Sequence, residues 1–405
     1  MRADVATGQT FSSEAVPAAS TRLDHWLLAR IQRPVAAAPI RFVLWDGYEV
    51  PSRTDPPVAT VVIRNRRALI GWLSDPELNF GEAYMCGAVE VHGDLLAMLE
   101  AVYRELGPSK RRPWWLWRRA NTVEAARENV HHHYDLGNDF YRLWLDREML
   151  YTCAYFPTPD ATLEDAQIAK MDLVCRKLRL RAGERVVEAG CGWGALALFM
   201  ARHYGVRVRA FNLSTSQIEY ARHRARCERL EDRVEFVHDD YRNLTGTYDA
   251  FVSVGMLEHV GLADYGTFGR VIDRSIGPDG RGLLHFIGRN HPEPLNAWIR
   301  KRIFPGAHPP TLTEVFDGVL QPWTLSVLDV ENLRLHYAKT IEHWWRRFES
   351  SADQVRALSD ETFVRAWRLY LAGSQAAFTT GSMQLFQIVF ARAASNRIPW
   401  TRVAG

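Results

Sequence analysis

The amino-acid sequence predicts an α/β protein whose main domain is a doubly wound, mostly parallel β-sheet, preceded by a small α+β domain. Two observations predict the sheet. Strand-like and helix-like segments alternate from residue 185 onward, and a glycine-rich turn, "GCGWG", joins the first of these strands to the helix that follows it. The length of 405 residues is sufficient for two domains.

Composition and cysteine usage bound the class of protein. Hydrophobic residues make up 47% of the chain and the net charge is only +3, so bulk charge indicates no class of partner. No apolar run approaches the roughly 20 residues of a membrane-spanning helix. The five cysteines are widely spaced without a CxxC pair, which argues against a disulfide framework or structural zinc and favours the reducing cytoplasm.

The N-terminal third is predicted to contain a tail, a small domain and a linker. Residues 1–39 are predicted to be a disordered tail or N-terminal extension, because they begin with small and polar residues and lack the apolar centre of a signal peptide. Residues 40–107 are predicted to form the small α+β domain, with strands in "IRFVLWDGYEV" and "VATVVIR" and helices in "ALIGWL" and "GDLLAMLEAVYREL". The segment "FGEAYMCGAVEVHGD" is expected only to join these helices.

Residues 108–120 form a basic linker that is rich in tryptophan, "PSKRRPWWLWRRA". A solvated linker with packed tryptophans, a membrane-surface contact and a nucleic-acid contact are all compatible with this composition. The density of tryptophan favours the membrane surface, because indole rings are stable at the lipid–water interface, and nucleic acid is not an expected partner.

The main domain is predicted to span residues 121–405. Helices "ALALFMARHY" and "STSQIEYARHRARCERL" alternate with strands "VRVRAFN", "RVEFVHDD", "YDAFVSVG" and "GLLHFIG". The second helix is expected to open with a capping box formed by Ser214 and Gln217. Two late segments, "WTLSVLDV" and "MQLFQIVFAR", are predicted strands separated by long helices.

The glycine turn suggests a nucleotide-type cofactor. A dinucleotide site would need an acidic residue at the end of the next strand, and this chain has Asn212 there. An acidic residue, Glu188, instead precedes the turn, and the pattern E-x-G-x-G-x-G resembles motif I of the class I S-adenosylmethionine-dependent methyltransferases. This resemblance implies a Rossmann-like, seven-stranded sheet with a helical cap. A purely structural glycine turn is the alternative.

Seven further motifs give a more specific resemblance. In order along residues 121–395 these are "HHYDLGNDFYRLWLD", "MLYTCAYF", "VVEAGCGWGALALFMA", "DDYRNL", "SVGMLEHVG", "LLHFIG" and "RIFPG". They resemble the cyclopropane-fatty-acyl-phospholipid synthase family, which includes the mycolic acid cyclopropane synthases. The domain at residues 40–107 resembles the additional N-terminal domain of the members that act on phospholipids.

The resemblance implies a reaction on lipids. A cis double bond of an unsaturated phospholipid attacks the methyl group of S-adenosylmethionine, a carbon–sulfur bond breaks and a carbocation forms. Loss of a proton from the new methyl group, to a bound bicarbonate ion, then closes a cyclopropane ring. The implied enzyme is cytoplasmic and binds peripherally to the inner face of the membrane, and a homodimer is possible by analogy.

The resemblance also implies the site residues. Those around bicarbonate are Cys153, Glu258, His285 and Tyr337, with the backbone of Ile287. Those around S-adenosylmethionine are Tyr151, Thr152, Glu188, Gly190, Gly192, Gly194, Asn212, Leu213, Gln217, Tyr241 and Arg242. Because a carbocation requires a dry cavity and tolerates aromatic faces, further candidates are Tyr134, Phe140 and Tyr155, together with the rings of Tyr151 and Tyr337.

Three residues depart from the family's pattern. Thr152 replaces a common serine and keeps the hydroxyl, Asn212 replaces a usual threonine, and Leu257 replaces a common phenylalanine beside Glu258. The change at Leu257 is the one expected to alter the product. No metal site is expected, because the adjacent histidines at 131–133 do not share a helical face and lack further ligands.

Three rival functions stay open. The same first step would yield methyl-branched or methylene fatty acids if the carbocation were resolved differently. A methyltransferase for a small soluble molecule would use the same fold. A lipid-binding protein without catalysis is the alternative from another class.

Overall fold

The computed structural model describes residues 19–107 and 137–398 of the chain. The first range forms a four-stranded sheet flanked by helices. Its order is β2-β1-β3-β4, with β1 parallel to β3 and the other pairs antiparallel. The elements are α1 (Arg22–Gln32), β1 (Ile40–Leu44), β2 (Glu49–Val50), β3 (Ala59–Ile63), α2 (Arg66–Ser74), α3 (Pro76–Met85), β4 (Val89–Gly93) and α4 (Leu95–Leu106).

The segment predicted only to join two helices contains most of a third helix and a strand. Asp75 caps α3 by accepting a hydrogen bond from the Leu78 amide, and Pro76 occupies the first turn, where its missing N–H costs nothing. Strand β4 then pairs antiparallel with β3. The expectation for "FGEAYMCGAVEVHGD" was therefore wrong, because these capping signals lie before the segment.

For residues 1–39 the sequence predicted a disordered tail or an N-terminal extension, and the prediction of disorder is wrong from Thr21 onward. Thr21 and Asp24 form a reciprocal capping box at the start of α1, which satisfies amide groups that would otherwise lack partners. Leu28 and Ile31 then lie on the buried face of this helix. Residues 1–18 lie outside the described part of the chain.

The second range contains the predicted doubly wound sheet of seven strands, in the order β10-β11-β9-β8-β5-β6-β7. Only β11 runs antiparallel to its neighbours. The elements are α5 (Asn138–Arg142), α6 (Leu163–Lys177), β5 (Arg185–Ala189), α7 (Ala195–Tyr204), β6 (Arg207–Asn212), α8 (Thr215–Cys227), β7 (Val234–His238), β8 (Tyr248–Val254), α9 (Tyr265–Ser275), β9 (Ile276–Gly288), α10 (Ala297–Arg302), α11 (Leu312–Val315), β10 (Leu325–Asn332), α12 (Arg334–Ser350), α13 (Ala352–Leu358), α14 (Glu361–Thr380) and β11 (Gln384–Arg392).

The predicted capping box of α8 is half correct. The Ser214 hydroxyl accepts a hydrogen bond from the Gln217 amide, as expected. The Gln217 side chain does not return to the cap, because its Oε1 accepts a hydrogen bond from Asn212 at 2.7 Å.

The part of the chain with the small sheet contacts the part with the large sheet through helices, namely α3 and α4 on one side and α10 and α14 on the other. The Arg365 side chain on α14 donates to the backbone oxygens of Tyr84 and Val89 in the first range. Gly81 on α3 faces Trp298 on α10 so closely that a Cβ atom at residue 81 would lie 2.3 Å from the indole ring. Beside this contact lies a space between helices α3 and α4 and the second range.

Candidate active site

The glycine turn follows β5, at the edge of the sheet where the parallel strands end. Gly190, Gly192 and Gly194 all have positive φ angles, which favour glycine. A Cβ atom at Gly194 would lie 2.6 Å from the Phe236 ring, so its absence is required by packing. A Cβ at Gly192 would meet nothing within 4 Å. Open space beside Gly192 is what a ligand that approaches the backbone requires.

Asn212, at the end of β6, connects this turn to α8. Its amide group donates to the Gly192 carbonyl oxygen at 3.1 Å and to Gln217 Oε1 at 2.7 Å. Its Oδ1 accepts from the Leu213 amide at 2.8 Å. The structure therefore brings the glycine turn, Asn212, Leu213 and Gln217 together, and it leaves the buried Gln217 Nε2 without a hydrogen-bond partner.

A buried charged cluster lies beside the turn. Lys170 on α6 is fully buried, and its ammonium group donates to the Thr152 hydroxyl at 2.8 Å. Burial lowers the pKa of Lys170 to about 8, although the nearby Asp146, Cys153 and Glu188 oppose this. Burial raises the pKa of Glu188 to about 8, opposed by Lys170, and one Glu188 carboxylate oxygen has no partner. Sequence reasoning missed Lys170, which lies in an ordinary amphipathic helix.

Tyr241 and Arg242 follow β7 at the same edge of the sheet. The Tyr241 ring packs against Phe268 in an edge-to-face arrangement. The Arg242 guanidinium lies 3.6 Å from Asp240 and 3.9 Å from Asp264. Tyr241 and Arg242 therefore lie at the same edge of the sheet as the glycine turn.

A cavity of about 850 Å³ opens between helices α3 and α4 of the first range and the second range of the chain. Its walls come from both ranges of the chain: Phe80, Leu99 and Tyr103 on one side, and residues at the ends of β8 and β9 and in α12 and α14 on the other. All five residues predicted around bicarbonate line it, namely Cys153, Glu258, His285, Ile287 and Tyr337, together with Tyr151 and Thr152 from the predicted cofactor set.

Four side chains of this lining carry a buried polar atom without a hydrogen-bond partner, namely Glu258, His285, Arg289 and Trp298, and the first two belong to the predicted bicarbonate set. Glu258 lies in a 3-10 turn after β8, where Oε1 accepts a hydrogen bond from the Ile287 amide at 2.5 Å and Oε2 is buried without a partner. His285 lies on β9, where Nδ1 is 2.9 Å from the Gln387 amide nitrogen and Nε2 is buried without a partner. Burying a polar atom without a hydrogen-bond partner destabilises the folded protein unless a ligand or water supplies the missing hydrogen bond.

Burial sets the protonation states of these groups. It raises the pKa of Glu258 to about 7, so that this carboxyl group holds its proton more tightly than an exposed one. It lowers the pKa of His285 well below its ordinary value, which keeps the ring neutral. Burial also raises the pKa of the Cys153 thiol well above its ordinary range, and the thiol donates to the Ala154 carbonyl oxygen at 3.1 Å.

The aromatic candidates divide into two groups. Tyr151 and Tyr337 line the cavity, and the Tyr151 hydroxyl lies 2.6 Å from that of Tyr370. Phe140 and Tyr155 are not in the lining: Phe140 packs against Trp144 and Trp367 inside an aromatic core, and Tyr155 stacks on His336. The expectation that these two line the cavity was therefore wrong. Tyr134 lies outside the described residues.

Sequence reasoning missed several cavity residues because they are ordinary apolar positions of helices. Two aromatic side chains of the lining, Tyr370 and Phe378 on α14, have no motif around them, whereas Phe304 lies within the motif "RIFPG" but was not singled out. Leu257, the residue expected to alter the product, is buried and does not line the cavity. The aliphatic side chain of Leu257 instead belongs to a hydrophobic core cluster that includes Phe251 and Phe268.

Within residues 19–107 and 137–398, no helix combines the length and hydropathy that crossing a bilayer requires. In the same ranges no group of three or more histidine, cysteine or acidic side chains is arranged to hold a metal ion. The histidines at 131–133 lie outside them.

Comparisons with known proteins agree with this geometry. A Pseudomonas putida protein described as a "Probable fatty acid methyltransferase" is 37% identical over 383 residues, covering 90% of this chain and 95% of that protein. The cyclopropane-fatty-acyl-phospholipid synthase of Escherichia coli K12 is 38% identical over 265 residues, covering 65% of this chain and 68% of that enzyme.

A solved structure and two family profiles extend the comparison. The crystal structure of mycolic acid cyclopropane synthase CmaA1 complexed with SAH and CTAB is 31% identical with a TM-score of 0.63, covering 66% of this chain and 98% of that one. A domain of unknown function, DUF7884, matches residues 28–111. The profile described as mycolic acid cyclopropane synthetase matches residues 121–388. The chain therefore belongs to the cyclopropane synthase family of S-adenosylmethionine-dependent methyltransferases.

Proposed function

We propose that this protein adds a methylene group from S-adenosylmethionine across the cis double bond of an unsaturated phospholipid acyl chain, forming a cyclopropane ring. The observation that carries the proposal is the cavity itself. It is large enough for a segment of acyl chain, and within its lining Glu258 and His285 each present a buried polar atom without a partner.

The residues at the glycine turn fit S-adenosylmethionine. Bound S-adenosylmethionine would supply the methyl group. The space beside Gly192 allows a ligand to approach the backbone, and the unpartnered oxygen of Glu188 and Nε2 of Gln217 offer an acceptor and a donor. We assign Tyr151, Thr152, Gly190, Gly194, Asn212, Leu213, Tyr241 and Arg242 to the same cofactor site.

The residues of the cavity fit bicarbonate. Bound bicarbonate would supply an oxygen base for the proton that ring closure releases. A small oxyanion of this kind needs both donors and an acceptor around it, and the Tyr337 hydroxyl, His285 Nε2 and Glu258 Oε2 offer both types. The Cys153 thiol and the Ile287 amide also line the site, and to donate to the anion they would exchange their present acceptors, the Ala154 carbonyl oxygen and Glu258 Oε1. Two full negative charges at one buried site would repel each other strongly. Because the pKa of Glu258 is raised, its carboxyl group can hold a proton and share it with the anion, which avoids this repulsion.

The cavity walls protect a carbocation on the lipid. Water would react with such a cation, so apolar and aromatic side chains must replace it. The rings of Tyr151 and Tyr337, with Phe304 and Phe378, provide aromatic surface in the lining. Their electron-rich faces attract positive charge and do not react with it.

One comparison supports a second candidate product. The relative described as a fatty acid methyltransferase covers 90% of the chain, including both sheets. In that alternative the carbocation loses a proton to give a methylene fatty acid, and a methyl-branched fatty acid would follow only with a hydride from a separate reductant. The four bicarbonate-site side chains, Cys153, Glu258, His285 and Tyr337, are all present and all line the cavity, which favours ring closure.

We also propose peripheral binding at the cytoplasmic face of the membrane. The outer face of α1 exposes Leu23 and Trp26, and the Arg30 guanidinium lies over the Trp26 ring. The one acidic residue of this helix, Asp24, is buried and paired with Arg66, so the exposed face carries only positive charge. Such a face suits anionic head groups, and five free cysteines fit a reducing compartment.

Lipid analysis tests the reaction. The purified protein is incubated with vesicles of an unsaturated phospholipid and S-adenosylmethionine labelled in the methyl group, and the acyl chains are analysed by mass spectrometry. A gain of CH₂ without a remaining olefin, with ring-type fragmentation, is the expected result. A gain of CH₂ with an olefin retained identifies the methylene alternative, and labelling of no lipid contradicts both proposals.

Vesicle flotation tests the membrane surface. Replacing Trp26 by serine is expected to weaken flotation with anionic vesicles several-fold at low salt, because one interfacial indole is lost. Replacing Ile168, an exposed apolar residue on α6, is the matched control. Equal flotation of both variants and the unmodified protein would remove α1 from the contact.

A further inference from the structure

Three polar side chains lie in one row across the large sheet. Glu331 on β10 is directly opposite Gln387 on β11, and Gln387 is directly opposite His285 on β9. Because residues in register on neighbouring strands point to the same face, these three side chains are adjacent. Gln387 has no solvent-accessible surface, and His285 is only 2% exposed.

Lys177, at the end of α6, determines how this row is oriented. Its ammonium group donates to the Glu331 carboxylate and, at 2.7 Å, to the Gln387 Oε1 atom. An ammonium group can only donate hydrogen bonds, so the oxygen of the Gln387 amide must face Lys177. The NH₂ group of Gln387 must then face His285, whose Nδ1 lies 2.9 Å away.

The tautomer of His285 follows from this chain of contacts. An NH₂ group can only donate, so Nδ1 must accept and carries no proton. Burial disfavours the charged ring, and the nearby Lys170 and Lys177 disfavour it further, so His285 holds a single proton. That proton is therefore on Nε2, the atom that is buried without a protein partner.

We propose that Lys177 and Gln387 are positioning residues that fix His285 as the neutral Nε2–H tautomer and so make it a hydrogen-bond donor to the cavity. The consequence for activity rests on the proposed function, since a donor there would hold bicarbonate. The opposite tautomer would direct a lone pair at the same anion and repel it. The tautomer itself is a property of the protein without any ligand.

Nitrogen NMR of the full-length protein tests the tautomer directly. The histidines are labelled with ¹⁵N, and the His285 signals are assigned by their loss in His285→Gln. We expect one protonated ring nitrogen, Nε2, and one unprotonated nitrogen, Nδ1, in the unmodified protein. A proton found on Nδ1, or an even mixture of tautomers, would overturn the proposal.

Variants of the positioning residues give the complementary test. Gln387→Glu retains a partner for Lys177 but presents only acceptors to His285, so the Nδ1 atom should become protonated. Lys177→Arg can still donate to Gln387 and should leave the tautomer unchanged. Gln384→Leu is the matched control, because Gln384 lies on the same strand and its amide bonds Gly381 and Asn332 instead. An unprotonated Nδ1 in Gln387→Glu would show that Gln387 does not set the tautomer.

Steady-state kinetics with unsaturated phospholipid vesicles separate this inference from the proposed function. Gln387→Leu removes the donor without adding charge, and we expect turnover to fall roughly 10- to 100-fold with the KM for S-adenosylmethionine unchanged. Unchanged turnover would mean that Gln387 does not position a group used in the reaction. If the NMR result holds but the unmodified protein alters no lipid, the proposed function fails while the assigned tautomer stands.

Discussion

Glu258 is the residue on which the proposed chemistry depends most directly. Its Oε1 is held by the Ile287 amide, and its Oε2 is buried without a partner. Leaving a buried polar atom unpaired costs about 1–3 kcal/mol, an expense that a protein tolerates where a ligand supplies the missing contact. The same reasoning applies to His285 Nε2, which lines the same cavity.

Replacing Glu258 by glutamine tests this role. Glutamine can keep the contact with Ile287 but cannot share a proton with an anion as a carboxyl group can, so we expect lipid turnover to be abolished. S-adenosylmethionine affinity, measured by isothermal titration calorimetry, should change by less than about threefold. Cys153→Ser should be milder, because a hydroxyl group still donates. A Glu258→Gln variant that keeps most of its activity would refute the bicarbonate assignment.

The raised pKa of Glu258 also predicts how stability depends on pH. The folded protein binds this proton with a pKa of about 7, against an ordinary value of 4.5. Between these two pH values the folded state holds the proton and the unfolded state does not, so stability falls as pH rises. The loss amounts to about 3 kcal/mol at most, and it is complete above pH 7.

Glu258→Gln removes this titration and leaves the other buried groups, such as Glu188, common to both proteins. Urea unfolding of both proteins at pH 5 and pH 8 measures the difference. The variant should be more stable relative to the unmodified protein at pH 8 than at pH 5. The same stability difference at both pH values would mean that the carboxyl group titrates normally.

At the scale of elements, the glycine turn combines two requirements that the sequence does not distinguish. Gly192 and Gly194 both have positive φ, but only Gly194 is packed against Phe236. Gly194→Ala should therefore cost about 3 kcal/mol or more, from backbone strain and the clash together. Gly192→Ala should cost only about 1–2 kcal/mol, yet weaken S-adenosylmethionine binding at least about tenfold, because the added methyl group occupies the approach to the backbone.

Gly183→Ala is a matched control for this pair. Gly183 also has positive φ with open space around it, and it lies before β5, at the opposite end of that strand. It should lose the same 1–2 kcal/mol or so without any change in cofactor affinity. Urea unfolding measures the change in stability, and calorimetry measures the affinity for S-adenosylmethionine. Equal affinity in all three variants would mean that the glycine turn does not bind the cofactor.

Elements governed by local pattern were predictable from the sequence. The alternating segments from β5 to β9 were predictable because apolar residues recur along each strand, either in a run or at alternate positions. Only the second half of β9, "GLLHFIG", carries this pattern, and its start at Ile276 was not predicted. Helix α3 was missed because its signal is a cap and a proline, with no strong apolar stripe. The candidate site residues Glu258, His285 and Cys153 came from motifs, and the structure brings all three into the cavity lining.

Contacts between distant segments were not predictable. Lys170 and Thr152 meet because α6 packs beside the loop that carries Thr152, and one sequence does not contain that distance. Gln387 becomes the neighbour of His285 only through the register of β11 against β9. Both depend on tertiary packing, to which the periodicity of a single segment is blind.

At the scale of the whole molecule, the cavity exists because helices α3 and α4 of the first range pack against helices of the second range. Phe80 on α3 and Leu99 and Tyr103 on α4 form one wall. The contact is close at Gly81, whose missing side chain allows Trp298 to lie against α3. The Arg302 guanidinium, at the end of α10, adds an ion pair with Glu82 next to it.

Gly81→Ala tests whether this docking is needed for lipid turnover. A methyl group there would lie 2.3 Å from the indole, so Trp298 or α3 must move, at a cost of about 1–3 kcal/mol. The affected helix forms a cavity wall, so we expect lipid turnover to fall at least about tenfold. A free-energy cost of this size can produce such a loss if it destabilises the packing of α3 against α10. S-adenosylmethionine affinity should be unchanged, because the glycine turn lies in the other sheet.

Gly71→Ala is the control for Gly81→Ala within the same domain. Both glycines are in helices, but the nearest atom to a Cβ at Gly71 is 3.9 Å away, so alanine fits and should be neutral or stabilising by up to about 1 kcal/mol. Phospholipid turnover and calorimetry on both variants decide the matter. If Gly81→Ala keeps full turnover while Gly71→Ala does too, the wall formed by the small domain does not limit the reaction, and the large sheet alone must hold the acyl chain.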